Sequence, residues 1–96
     1  MNDGEKHNHC THKIIDLANE LAKEGIDPKL VSGALMAASG IYATFIAAGN
    51  TGGLEPSGVD KIVTMYRKNL EHIQKRKKEE AEKLKAQNDA LQAAND

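Results

Sequence analysis

The chain has little of what small folds are usually stapled with. Its 96 residues hold one cysteine, no tryptophan, one phenylalanine and two tyrosines. With Cys10 alone, an intramolecular disulfide is excluded; with so few aromatics, any core must be aliphatic and Ala-rich. No stretch alternates apolar and polar residues and no Asn-Gly hairpin signal occurs, which removes the α/β classes. Thirteen basic residues stand against fourteen acidic ones, a formal net charge of -1, so bulk charge draws the chain toward neither nucleic acid nor membrane. The N-terminus lacks the apolar stretch of a secretory signal, and a cytoplasmic location is the expectation. What remains is an all-α fold: a three-helix bundle with a long, solvent-exposed C-terminal helical extension. Its expected parts are a disordered His-rich tail over 1–11, a three-helix domain over 12–78 and a charged helical extension over 79–96.

The stretch from Val31 to Ala48 carries no charged side chain. Val31, Leu35, Tyr42 and Phe45 fall on one side of a helix and Ala34, Ala37, Ile41 and Ala48 on another, so neither side is polar. A helix of that kind has to be enclosed, and it is read as the buried central helix. Small residues recur four apart, Gly33 with Ala37, Ala43 with Ala47, Gly40 with Thr44, and such rows admit the backbone of another helix. A membrane span begins at roughly this length. The Ser, Gly, Thr and Tyr residues in the run, and flanks without a clear positive asymmetry, favour a core helix and no membrane partner.

On either side the start and stop signals are local. Residues 1–11 hold almost no apolar side chain, and Thr11 can cap a first helix whose stripe is Ile14, Ile15, Leu17, Leu21 and Ala22. Gly25 can end it in the left-handed region. Asp27 followed by Pro28 opens the central helix, and the polar run from Gly49 to Gly58 closes it. That glycine-rich run follows a helix, not a strand, and lacks the lysine of a phosphate-binding loop. Ser57 with Asp60 has the spacing of a variant capping box for a third helix, whose apolar stripe runs from Val59 to Ile73. Past Gln74 the helix formers continue while Leu84 and Leu91 are the only large apolar residues, which predicts a solvated, fraying end.

Chemistry-bearing groups are few. His7, His9, Cys10 and His12 have the donor types that suit zinc, copper or nickel, yet their spacing matches no structural zinc module. A Cys10 nucleophile with a histidine base would sit on an unanchored segment without oxyanion donors. Lys75, Arg76, Lys77 and Lys78 form a basic run that could face phosphate. Glu79, Glu80 and Glu82 follow four residues behind, so intrahelical pairing blunts the field, and interleaved aromatics are missing. No nucleic-acid site is expected.

LANELAKE, DPKLVSGALMAASGIYATFIAAGN and MYRKNLE together resemble a small family of uncharacterised bacterial proteins, a domain of unknown function, over roughly residues 14–73. The residues that carry it are Leu17, Ala18 and Asn19, then Val31, Ser32, Leu35, Tyr42, Phe45, Ala47 and Ala48, then Tyr66, Arg67, Lys68 and Leu70. The resemblance implies a short helical cytoplasmic protein without enzyme activity. Ile41 and Ala43 stand where the family often carries Arg and Asn.

These readings converge on a non-enzymatic interaction or self-association module without a cofactor. Its expected partner is a second copy or another helical protein, meeting the central helix near Ala43 and Ala47. The alternative is a metal-responsive protein that binds zinc, copper or nickel through His7, His9, Cys10 and His12.

Overall fold

A computed structural model describes residues 1–95. The chain is all-α, with three helices and no strand among the described residues: α1 over Asp3–Lys23, α2 over Pro28–Ala48 and α3 over Pro56–Asn95. The long C-terminal helix that the sequence predicts is present; Asp96, the end of the expected extension, lies outside the described residues. Two compact units divide the chain, Met1–Gly53 and Leu54–Asp96.

The first unit begins with a correction. Residues expected to be a disordered tail are the first turns of α1, because the cap is Asn2, not Thr11. The Asn2 side chain accepts from the Glu5 backbone N–H at 2.8 Å, and Asp3 and Glu5 place negative charge at the positive end of the helix dipole. Thr11 sits in mid-helix, where its hydroxyl donates to the His7 carbonyl at 2.9 Å. Gly25 ends α1 as expected, at a φ of 94°. At the next corner the Asp27 carboxylate accepts from the Lys29 N–H at 2.9 Å while the Asp27 carbonyl takes the Leu30 and Val31 amides. Pro28 at the first position loses no hydrogen bond there. Gly49, at a φ of 78°, closes α2.

The expectation that α2 is enclosed is also corrected. Among the described residues Val31 alone is buried, at 7% exposure. Those partly withdrawn from solvent in α1 are Ala18, Leu21 and Ala22, all close to the corner, and Leu35 is half-buried one turn beyond Val31. Within this unit α1 therefore covers α2 near the corner. The turns beyond keep an apolar perimeter in contact with solvent.

In the second unit α3 opens two residues earlier than the Ser57 and Asp60 pattern suggests. The Glu55 carbonyl accepts from the Gly58 and Val59 amides at 2.8 and 3.0 Å, and Pro56 supplies a first helical residue that has no amide to satisfy. From there the helix runs 40 residues without interruption, about 60 Å at 1.5 Å per residue. Its stripe from Val59 to Ile73 is exposed except for the half-buried Ile62. The i,i+4 ion pairs expected past Lys75 are not formed. The ion pair among the described residues is Lys77 with Glu80, at i,i+3 and 3.7 Å.

Candidate functional site: the open faces of α2

Successive residues of an α-helix turn by about 100°, and that rotation sorts α2 into two faces of different texture. Val31, Leu35, Tyr42 and Phe45 make the bulky face. The Tyr42 and Phe45 rings stand 6.1 Å apart at a tilt of 45°, one turn from each other and both open to solvent. Opposite them lie Gly33, Ala37, Gly40, Ala43, Thr44 and Ala47. A Cβ placed on Gly33 or Gly40 would meet nothing within 4 Å. Met36, 61% exposed, stands between Ala43 and Ala47 on the edge of this face, so the strip without a large side chain runs through Gly33, Ala37, Gly40, Thr44 and Ala47. Of the two residues expected at an interface, Ala43 is half-buried and Ala47 exposed, on that same face. A second helix backbone can approach the Gly33 and Gly40 strip closely, with the flexible Met36 side chain lying along its edge.

By length and apolarity α2 would also cross a membrane. Gly, Ser, Thr and Tyr break its apolar perimeter, and Asp27 and Lys29 sit at its start. A core helix left without its cover has the same composition.

The second expected site is rearranged by the helix that contains it. His7 and Cys10 are about 60° apart around α1, as are His9 and His12, but the two pairs point to opposite sides of a cylinder 10–12 Å across. Ligands of one zinc ion lie about 2.0–2.3 Å from it. While α1 stays helical the four cannot share an ion, and no group of three His, Cys, Asp or Glu placed to hold a metal exists among the described residues. Cys10 is exposed and free.

What the sequence reading missed is on α3. A shallow groove there is lined by Val63, Tyr66, Arg67, Leu70, Glu71 and Gln74. Leu84 and Leu91, read as stray residues, stand seven and fourteen positions after the Lys77 that lies seven beyond Leu70. A seven-residue spacing was the available signal. It was hidden because the denser three-and-four stripe stops at Ile73.

Fold and surface together define a small all-α protein with a central helix that carries no charge from Leu30 to Ala48 and whose small-residue face is open. No family model, curated protein or solved structure matches the chain.

Proposed function

We propose that this protein is a non-enzymatic interaction module that self-associates through the small-residue face of α2. The observation that carries this reading is the exposure of a helix without charge from Leu30 to Ala48, in which Val31 alone is buried. Left in water, that helix presents an apolar patch larger than the few hundred Å² a soluble monomer usually shows. A two-fold pairing of α2 with α2 of a second copy removes the patch from water on both sides with the same residues. Gly33, Gly40 and Ala43 let the two backbones approach, and each then contributes dispersion contacts along the crossing.

Sedimentation equilibrium of the full chain tests the reading. A dimer is expected at micromolar concentration, weakened by Ala43→Leu, which overpacks the close approach. A monomer of 10.4 kDa at every concentration removes it. Flotation of the chain with neutral phosphatidylcholine vesicles, retained after a high-salt wash, gives α2 to the bilayer instead.

A further inference from the structure

α3 carries a pattern of its own, independent of α2. Val63, Leu70, Lys77, Leu84 and Leu91 follow at seven-residue steps; Val59, Tyr66, Ile73, Glu80, Gln87 and Ala94 do the same, three residues further along than the first row or four behind it. These are the a and d rows of a heptad repeat. The helix is unbroken across both, and Leu84 and Leu91 stand 59% and 64% exposed. Both rows are apolar up to Ile73, and Leu84 and Leu91 carry the first row on past Lys77; a narrow seam at a period of 3.5 belongs to a supercoiled pair, whereas a globular face needs a wider stripe. The shallow groove on α3 falls on this seam. Val63, Tyr66, Arg67 and Leu70, which line the groove on α3, are the i, i+3, i+4, i+7 frame into which a facing helix inserts a knob.

Charge selects the occupant and its direction. Lys77 in the first row and Glu80 in the second lie midway along the seam, 3.7 Å apart in one chain. A parallel, in-register pair would set Lys77 against Lys77 and Glu80 against Glu80. An antiparallel pair whose two-fold axis passes between these residues sets Lys77 of each copy against Glu80 of the other. The same register brings Leu84 to Ile73 and Leu91 to Tyr66, so the sparse distal half of one helix meets the apolar proximal half of its mate. Leu91 is then the knob for the groove. Arg76 and Lys83 of the two copies share a flank, where both reach solvent and each has Glu79 or Glu80 within one turn of its own helix; such exposed charges are screened over about 8 Å in physiological salt. Six large apolar residues per chain enter the seam from Val63 to Leu91. At roughly 80–100 Å² each they withdraw on the order of 1,000 Å² from water across both copies, before the Lys and Arg stems are added, close to the lower limit of a stable interface.

We infer that α3 pairs with α3 of a second copy as an antiparallel two-stranded coiled coil, with Lys77 of each opposite Glu80 of the other. Charge exchange in the full chain, read by sedimentation equilibrium, tests both partner and direction. Lys77→Glu alone is expected to weaken the dimer by about tenfold or more, since it faces Glu80 with a like charge. Glu80→Lys alone does the same, and the double variant Lys77→Glu with Glu80→Lys restores the wild-type constant. A parallel pair is indifferent to all three, because its facing residues carry like charge in every case; that result overturns the inference. So does a dimer that Ala43→Leu abolishes and the charge variants leave untouched, an outcome that keeps the α2 reading. A second measurement uses chains in which Cys10→Ser removes the native thiol. Leu70→Cys mixed with Gln87→Cys is expected to give a disulfide between unlike chains, whereas covalent dimers of each variant alone point to the parallel arrangement and overturn the inference.

Discussion

The Thr44 hydroxyl donates to the Gly40 carbonyl 2.8 Å away, one turn back along α2. The hydroxyl of Thr44, on the small face, is thereby satisfied inside its own helix. A second helix can cover Thr44 without stranding a polar atom. Thr44→Val is therefore expected to leave the dissociation constant within about twofold, while Thr44→Lys, which brings a charge to a face that must be dry, raises it by two orders of magnitude or so. Sedimentation equilibrium of the two variants side by side reads both numbers.

Gly40→Leu distinguishes the stability of α2 from the proposed association. Nothing in the single chain lies within 4 Å of the new Cβ, and leaving glycine improves helix propensity by about 0.5–1 kcal/mol. Thermal unfolding at dilutions where the chain is monomeric should therefore move up by a few degrees. Association should move the other way, as the side chain holds the two α2 backbones apart. An unchanged dimer places the contact on the Tyr42 and Phe45 face.

Gly25 is held by backbone geometry alone. Its φ is 94° and the space around its absent side chain is empty, so Gly25→Ala costs the strain of an L-residue in that region, about 1 kcal/mol, without any clash. The melting temperature is expected to fall by roughly 4–8 °C for a domain of this size. Circular dichroism at 222 nm follows it, and a shift below the error of the measurement would show that the corner rearranges at no cost.

Zinc gives a test with two readouts. With His7 and Cys10 on one side of α1 and His9 and His12 on the other, calorimetry with zinc chloride is expected to show no one-to-one binding at micromolar concentration. Four-point capture requires the first turns of α1 to unwind, so tight binding accompanied by a loss of helical ellipticity would make this segment a metal-driven order switch.

The helix boundaries that were legible in the sequence are those written by backbone chemistry. Gly25, the Asp27–Pro28 pair and Gly49 act within a few residues of themselves, and each does in the structure what its type dictates. The start of α1 was equally local, since Asn2 and Glu5 have the spacing of a capping pair, but the scarcity of apolar residues from Met1 to Thr11 masked it. Composition argues about packing, and the first turns of α1 are held by caps. The Glu55–Pro56 signal was overlooked for a similar reason, with Ser57 offering a more familiar cap two residues after Glu55. Burial was not legible at all: periodicity says that α2 is apolar on both sides, and it cannot say whether α1 has the side chains to cover it. Ala18 and Ala22, the small residues α1 keeps from solvent near the corner, cover little.

The capping and turn bonds around the three helices span two to four residues, from Asn2 with Glu5 to Gly49 with Phe45, and so do the bonds within the helices. Structure of such low contact order is quick to reach: helices relax within about a microsecond, and little loop-closure entropy has to be spent before contacts reward it. Under the proposed pairing of two copies the step left is bimolecular, and its rate is set by how often they meet. Refolding followed by stopped flow is therefore expected to speed up as the protein is made more concentrated, with time itself reporting how much of the native structure belongs to the encounter.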